Sequence, residues 1–401
     1  MTNIPKLRFK GFEGEWKEEN IADIFDRILT KNKENNKNVL TISAQYGLIN
    51  QEEFFTKSVS SKNLENYFLL HKNDFAYNKS YSKGYPIGAI KKLTRYDKGV
   101  VSPLYICFKT KKNDSSDYLE KYFDSGKHNH SVWKIVQEGA RNHGLLNMST
   151  DDFFKLVKVF IPKFEEQEKI AEFLKKVDEW FGNLKKQKEN LEKYKKGMMQ
   201  KIFAQKIKFR DENGKDFSEW KNEKLAEVIY EVKKEKEENP QKLQLLTVKL
   251  HNNGITASGK FPSVTEKGRP YYKRYIGELL IGRQNFHNGG FGLVYEETNG
   301  LIASNAISSF LFNEYIHPKF IYYLISRESF YKRIANLIGG TGQKEISCNE
   351  IMKIKIQLPE FEEQQKITEF LTSIDKLIDL KQEQIAKAEE WKKGLIQGLF
   401  V

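Results

Sequence analysis

The chain repeats itself. Residues 162–203 read PKFEEQEKIAEFLKKVDEWFGNLKKQKENLEKYKKGMMQKIF, and residues 359–400 read PEFEEQQKITEFLTSIDKLIDLKQEQIAKAEEWKKGLIQGLF. At a constant offset of 197 the two align without a gap and share 18 of 42 residues, where unrelated segments would share about two or three. The correspondence continues upstream. Leu7-Arg8-Phe9 through Trp16 recurs as Ile207-Lys208-Phe209 through Trp220, and Val39-Leu40-Thr41-Ile42 as Leu245-Leu246-Thr247-Val248. Asn73–Lys79 resembles Gly277–Arg283, and the run before each proline, Phe153 to Ile161 and Glu350 to Leu358, also aligns. The chain is therefore two copies of one unit, each a globular part followed by a helix. The parts span 1–161, 162–203, 204–358 and 359–401. Because the chain stops where a third copy would begin, its two ends are expected to adjoin, as in a ring.

Each 42-residue block opens with a proline and an acidic first turn, Glu165-Glu166 and Glu362-Glu363, as a helix start prefers. Apolar residues then recur at alternating steps of three and four, a heptad seam: Ile170, Phe173, Val177, Trp180, Leu184, Leu191, Tyr194 and Met198. The second block places Ile367, Phe370, Ile374, Leu377, Trp391 and Leu395 on the same seam. A helix of about 40 residues runs about 60 Å, too long to hide its seam on one small domain. The two helices are expected to pair as an antiparallel coiled coil. Gln187 and Gln384 interrupt the seam at equivalent positions; a register-setting pair and a loosely solvated stretch both fit. Gly197 and Gly394 recur as well, each about 1 kcal/mol worse than alanine within a helix.

The globular parts carry short β-rich runs, such as Val100 to Phe108 and Leu243 to Leu250, between Gly, Asn and Lys turns. Each also carries a helical stretch, over 118–137 and 318–337. The fold class is α+β: two pseudo-repeated domains separated by two long helices. Charge follows the same division. The formal net charge of +13 divides into +7 on 1–161 and +6 on 204–358, while the helical blocks carry +3 and −3 and cancel. Two basic domains point to a polyanion, above all nucleic acid. No run of about 18 apolar residues occurs, so no membrane span is expected, and the polar start Met1–Lys6 does not open a secretory signal. Two cysteines, Cys107 and Cys348, exclude a disulfide framework.

Catalytic signatures are near misses. Gly254–Lys260 has the glycine and lysine spacing of a phosphate-binding loop, but Phe261 and Pro262 follow where a Ser or Thr and a helix are required; a glycine-containing hairpin accounts for it better. No Pro-Pro pair exists to build an adenine methyltransferase motif. His128, His130 and His143 with Cys107 have irregular spacing for a metal site. No metal, cofactor or catalytic residue is therefore assigned to this chain. The remaining candidates are basic, amide and aromatic clusters at turns, of the types that meet DNA bases and phosphates. In the first copy they are Asn78, Lys79, Tyr81, Lys83, Arg141 and His143. In the second they are Lys249, His251, Arg269, Tyr272, Lys273, Arg283, Gln284, Asn285, His287, Gln343 and Lys344. Asn78–Lys83 and Arg283–His287 follow equivalent predicted strands.

The doubled P-x-F-E-E-Q-x-K-I helix opening and the Trp391-Lys392 to Gly394-Leu395-Ile396-Gln397 ending resemble the specificity subunits of type I restriction–modification systems, over the whole chain. Asp74-Phe75-Ala76-Tyr77-Asn78 and Gly99-Val100-Val101-Ser102-Pro103 resemble the family's strand motifs; the second copy departs at Gly300-Leu301-Ile302-Ala303-Ser304. The resemblance implies a non-catalytic reader of double-stranded DNA. Each target-recognition domain would bind one half of an asymmetric, interrupted site, and the helices would set the spacer. It also implies two methyltransferase subunits, bringing S-adenosylmethionine for adenine N6, and restriction/translocase subunits that use ATP and Mg. The place implied is the cytoplasm of a bacterial or archaeal cell.

Overall fold

The computed structural model describes the chain apart from residues 1–2, 44–45, 56–62, 82–83, 112, 137–145, 234, 264–269 and 338–344, and the side chains of 335–337. The chain divides into two compact units, one of residues 1–185 with 383–401 and the other of 186–382. Both divisions fall inside the long helices, so each unit holds one globular part together with a stretch of each helix.

The two units share one strand plan. The first unit's antiparallel sheet runs in the order Phe25–Arg27, Ile106–Thr110, Phe75–Asn78, Ala89–Lys92; the second's runs Ile229–Glu231, Ile307–Phe312, Leu279–Gly282, Phe291–Leu293. A hairpin accompanies each, Leu40–Ser43 with Gly47–Asn50 and Leu246–Val248 with Ile255–Ala257. So does a two-stranded ribbon, Phe68–His71 with Lys98–Val101 and Tyr271–Lys273 with Ile302–Ser304. Parallel bridges, Val39 to Val100 and Leu245 to Ile302, tie hairpin to ribbon in both units. A last pair, Lys17–Asn20 with Lys158–Ile161 and Lys221–Lys224 with Lys355–Leu358, leads directly into each long helix. The repeated sequence segments thus lie on matching strands. Central strands are buried on both faces, with Phe75, Phe108, Leu279 and Phe310 all at most 1% exposed, and this explains why they read as continuous apolar runs rather than alternating ones.

Each single helical stretch expected from the sequence is two helices. In the first unit, Ser116–Ser125 ends at Gly126, whose left-handed φ of +73° caps the helix, and Asn129–Ile135 follows. In the second, Pro318–Ser326 and Glu328–Leu337 are separated by Arg327, which has extended backbone.

The long helices span Phe164–Phe203 and Phe361–Leu399. Their shared opening has a structural cause in its glutamine. Gln167 and Gln364 are each 1% exposed. Each donates from Nε2 to the carbonyl of the proline before the helix, at 3.0 Å in both. Each accepts through Oε1 from a backbone N–H at the start of a shorter helix, Ser115 at 2.8 Å and His317 at 2.9 Å. The glutamine therefore fixes where the long helix leaves the globular part. In the first unit the helix segments run antiparallel: Asp178 meets Lys392 at 2.5 Å, Lys185 meets Glu389 at 3.8 Å, and Leu184, Ile385 and Ala388 form a buried cluster. In the second, Lys195 is ion-paired with Asp375, and Met199, Ile202, Ile367, Leu371 and Ile374 join the domain core.

The seam differs from its sequence expectation. Ile170, Val177, Leu184, Ile367 and Ile374 are buried, but Trp180, Tyr194, Leu377 and Trp391 are about half exposed. Leu174, Leu371 and Ile385 are buried instead, because near the globular parts the helices must also satisfy a domain, which widens and rotates the apolar stripe. Gln187 and Gln384 are exposed rather than inserted in the seam. The chain ends do adjoin, within the first unit: the Leu7 amide donates to the Gly398 carbonyl at 2.9 Å, and Phe400 packs on Tyr118 and Tyr122.

Candidate nucleic-acid interface

In the second unit the hairpin loop 249–254 is closed by the Lys249 amide donating to the Gly254 carbonyl at 2.8 Å. Gly254–Lys260 is thus the return strand of a hairpin, not a phosphate loop. His251 and Asn252 both adopt left-handed backbone, φ +59° and +58°, a conformation that costs a non-glycine residue energy unless neighbours hold it. They are held: the His251 and Asn252 amides donate to the carbonyls of Asn288 and Gly289 at 2.7 and 3.0 Å, and Asn252 Nδ2 donates to the Ser326 carbonyl at 2.6 Å. A Cβ on Gly289 would stand 2.7 Å from Asn252 Oδ1, so only glycine permits this approach. The hairpin tip is thereby clamped to the short 3-10 turn Arg283–Asn288. Lys249, His251, Gln284 and Asn285 are exposed on this joined surface, and His287 Nε2 meets Asn288 Nδ2 at 3.1 Å.

Arg283, directly after the Leu279–Gly282 strand, pairs through Nε with Glu345 at 3.0 Å, and its carbonyl accepts from the Ile346 amide. Lys79, directly after the equivalent Phe75–Asn78 strand, has the same backbone bond, its carbonyl accepting from the Leu146 amide at 3.1 Å. Its ammonium donates to the Met148 carbonyl at 3.3 Å. Asn78 Oδ1 accepts from the Ser80 amide at 3.0 Å, and Tyr81 is 59% exposed. The residue after each of these strands therefore makes the same backbone bond to a distant segment.

Tyr272 and Lys273 lie apart from that surface, on the ribbon. Lys273 is ion-paired to Glu237 at 2.9 Å, a hydrogen bond that raises its pKa. The ring of Tyr272 lies 5.9 Å from the guanidinium of Arg274. Arg274, the last residue of the basic and aromatic run Arg269–Arg274, is no surface cation: 1% exposed, it donates to the Ile307 and Ser304 carbonyls and ties the ribbon to the sheet. Burial lowers its pKa, with Glu278 opposing. Lys83, Arg141, His143, Arg269, Gln343 and Lys344 lie outside the described residues. Among the described residues no group of three or more His, Cys, Asp or Glu side chains is placed to hold a metal, and no helix is long and apolar enough to cross a membrane.

The second unit thus exposes Lys249, His251, Gln284 and Asn285 on turns beside a buried sheet strand, residue types that can contact phosphates or bases. Residues 217–390 match the family model of the type I restriction modification DNA specificity domain. The MjaVIII type I restriction enzyme specificity subunit of Methanocaldococcus jannaschii is 31% identical over 270 residues, 62% of this chain and 62% of that one. The chain therefore spans under two thirds of that relative's length. The putative MjaX specificity subunit of the same organism is 27% identical over 330 residues, 77% of this chain and 69% of that one. In fold, the type I S subunit of M. genitalium superposes with a TM-score of 0.54 at 16% identity, covering 100% of this chain and 99% of that one. A chain from a structure of type I R-M complex assembly and conformational transition superposes with a TM-score of 0.56 at 13% identity, covering 96% and 97%. With the helix signature present twice and the strand plan duplicated around it, the chain is similar in sequence over 217–390 to the type I restriction modification DNA specificity domain and in fold to type I S subunits.

Proposed function

We propose that this chain is the non-catalytic DNA-reading subunit of a type I restriction–modification complex in the cytoplasm. Its recognition domains, 1–161 and 204–358, each read one half of an asymmetric, interrupted site. The helices 162–203 and 359–401 set the distance between them and serve as the docking surface for two methyltransferase subunits. Those subunits bring S-adenosylmethionine and methylate adenine N6, which requires taking the base out of the stack; restriction subunits add ATP-driven cleavage. The observation that carries this reading is the duplicated post-strand backbone bond, at Lys79 in one unit and Arg283 in the other, on a shared strand plan with unlike surroundings. Two copies of one scaffold with different rims suit a site whose halves differ.

The test is co-expression of the chain with its methyltransferase partner in a methylation-free host, followed by single-molecule mapping of modified adenines. One interrupted motif, methylated on both strands, is the expected result, and neither protein alone should produce it. A stable complex that leaves no motif would sink the proposal. Inserting residues into one long helix should change the spacer while preserving both half-site sequences.

A further inference from the structure

In the first unit a hollow of about 190 Å³ opens beside Lys79, bounded by Arg27, Phe68, Leu104, Cys107 and Thr150. Its two cations and its threonine come from three elements, beside Tyr105 and Cys107: Arg27 ends a sheet strand, Lys79 follows another, and Thr150 begins the Thr150–Leu156 helix. Lys79 spends one donor on the Met148 carbonyl and keeps two, since an ammonium carries three. Arg27 meets Asp151 only at 3.7 Å, with the two side chains 43% and 74% exposed, a contact of little strength. The lining contains no carboxylate and no carboxamide, the groups that pair with cytosine and adenine edges. Cys107 at the floor is buried, and burial pushes its thiol pKa up, so it adds no negative charge.

The second unit is built differently at the same place. Arg27 pairs in register with Phe108, and Glu231 with Phe310, the matching residue of the matching strand. The helix-start position of Thr150 is taken by Cys348, whose thiol donates to Glu231 Oε1 at 3.4 Å. A base in one copy thus stands where the other has an acid.

We propose that Arg27, Lys79 and Thr150 together hold one backbone phosphate of the bound DNA, a grip that the first recognition domain has and the second lacks. This rests on the reading of the chain as a DNA-binding subunit. Arginine, lysine and threonine side chains around a hollow whose lining holds no carboxylate carry the donors that a phosphodiester's oxygens accept. Asp151 yields Arg27 when the phosphate arrives.

The test is binding of the full chain, in complex with its methyltransferase partner, to a duplex carrying the mapped site and to an unrelated duplex, by fluorescence anisotropy across a salt series. Arg27→Gln should weaken both affinities alike, about 3- to 10-fold near 0.1 M salt, and lower the slope of log affinity against log salt by about 0.9, the value for one phosphate. Asp151→Asn should strengthen both, and Glu231→Gln should leave the slope unchanged. If Arg27→Gln altered preference among half-site sequences with the slope intact, Arg27 would be a base reader and the phosphate grip would be wrong. An unchanged slope and unchanged affinity would also overturn it. Failure of the unsubstituted complex to bind either duplex would instead count against the DNA-reading function itself.

Discussion

The two units solve one packing problem in two ways. Each has a tryptophan just before the strand that pairs with the one leading into its long helix, Trp16 and Trp220, and a glutamate in that helix's first turn, Glu166 and Glu363. In the second unit the partners meet, Trp220 Nε1 donating to Glu363 at 3.0 Å. In the first, Glu166 accepts two bonds from Arg8, both 2.8 Å, while Trp16 is 2% exposed and its Nε1 is buried without a partner. The first unit thereby exchanges an indole bond for a bidentate ion pair, which is the stronger contact, and leaves one buried donor unmet. The adjacent Gln167 and Gln364 do not differ at all in their bonds to proline and to the neighbouring helix. The identical bonds fix the scaffold; charges around them are free to diverge, and the same holds at the post-strand turns.

The largest test of that contrast removes what is shared. Gln167→Leu and Gln364→Leu each leave a buried amide and a buried carbonyl unpaired, so each should cost about 2–4 kcal/mol. Hydrogen exchange should locate the loss at 115–119 in one variant and 317–321 in the other. A loss spread evenly over both units in either variant would show that the glutamines are not local anchors.

Next comes acid sensitivity. His128 is 4% exposed, and burial lowers its pKa to about 3. It is therefore neutral when folded but binds a proton when unfolded below about pH 6.5. Stability is complete above that pH and falls as pH drops from about 6.5 towards 3, by about 1.4 kcal/mol per unit. The first unit should lose about 2 kcal/mol between pH 6.5 and 5, and His128→Leu should flatten that slope in chemical denaturation. The second unit, whose His317 is only half-buried, should lose less.

A tenfold effect is expected at the turns. Arg283→Gln should alter preference at one half-site about tenfold, whereas Lys79→Gln should lower affinity alike for every sequence; methylation of a library of half-site variants separates the two. The smallest effect is in the helices. A Cβ at Gly197 or Gly394 meets nothing within 4 Å, so alanine at either should stabilise the chain by about 0.5–1 kcal/mol. Weakened assembly with the methyltransferase in those variants would show that a partner approaches the helix there.

The fold was legible because the repeat is long and its helix opening is dense in identities; the matching strands at Asn73–Lys79 and Gly277–Arg283 were found from the same comparison. The site was legible only in part. The cluster at Arg283–His287 was visible as a run of polar residues after an apolar strand. That His251 is clamped beside it through Asn288 was not, because the bond joins backbone groups 37 positions apart in the chain. Arg274 reads as one more surface cation until burial reveals it as a tie between ribbon and sheet. Arg27 lay in no cluster, and only the register that sets it opposite Phe108 brings it to Lys79.

By itself the sequence determined the duplication, the two long helices, the basic character of both globular parts and the lack of catalytic signatures, because periodicity, charge and repeat are properties of chain order. The tertiary structure decided which cations are engaged and which face open hollows: Lys273 with Glu237, Arg283 with Glu345, Arg27 and Lys79 around one cavity. Those outcomes depend on strand register and on which distant acid lies within a few ångströms, where Coulomb energy changes steeply with distance and burial.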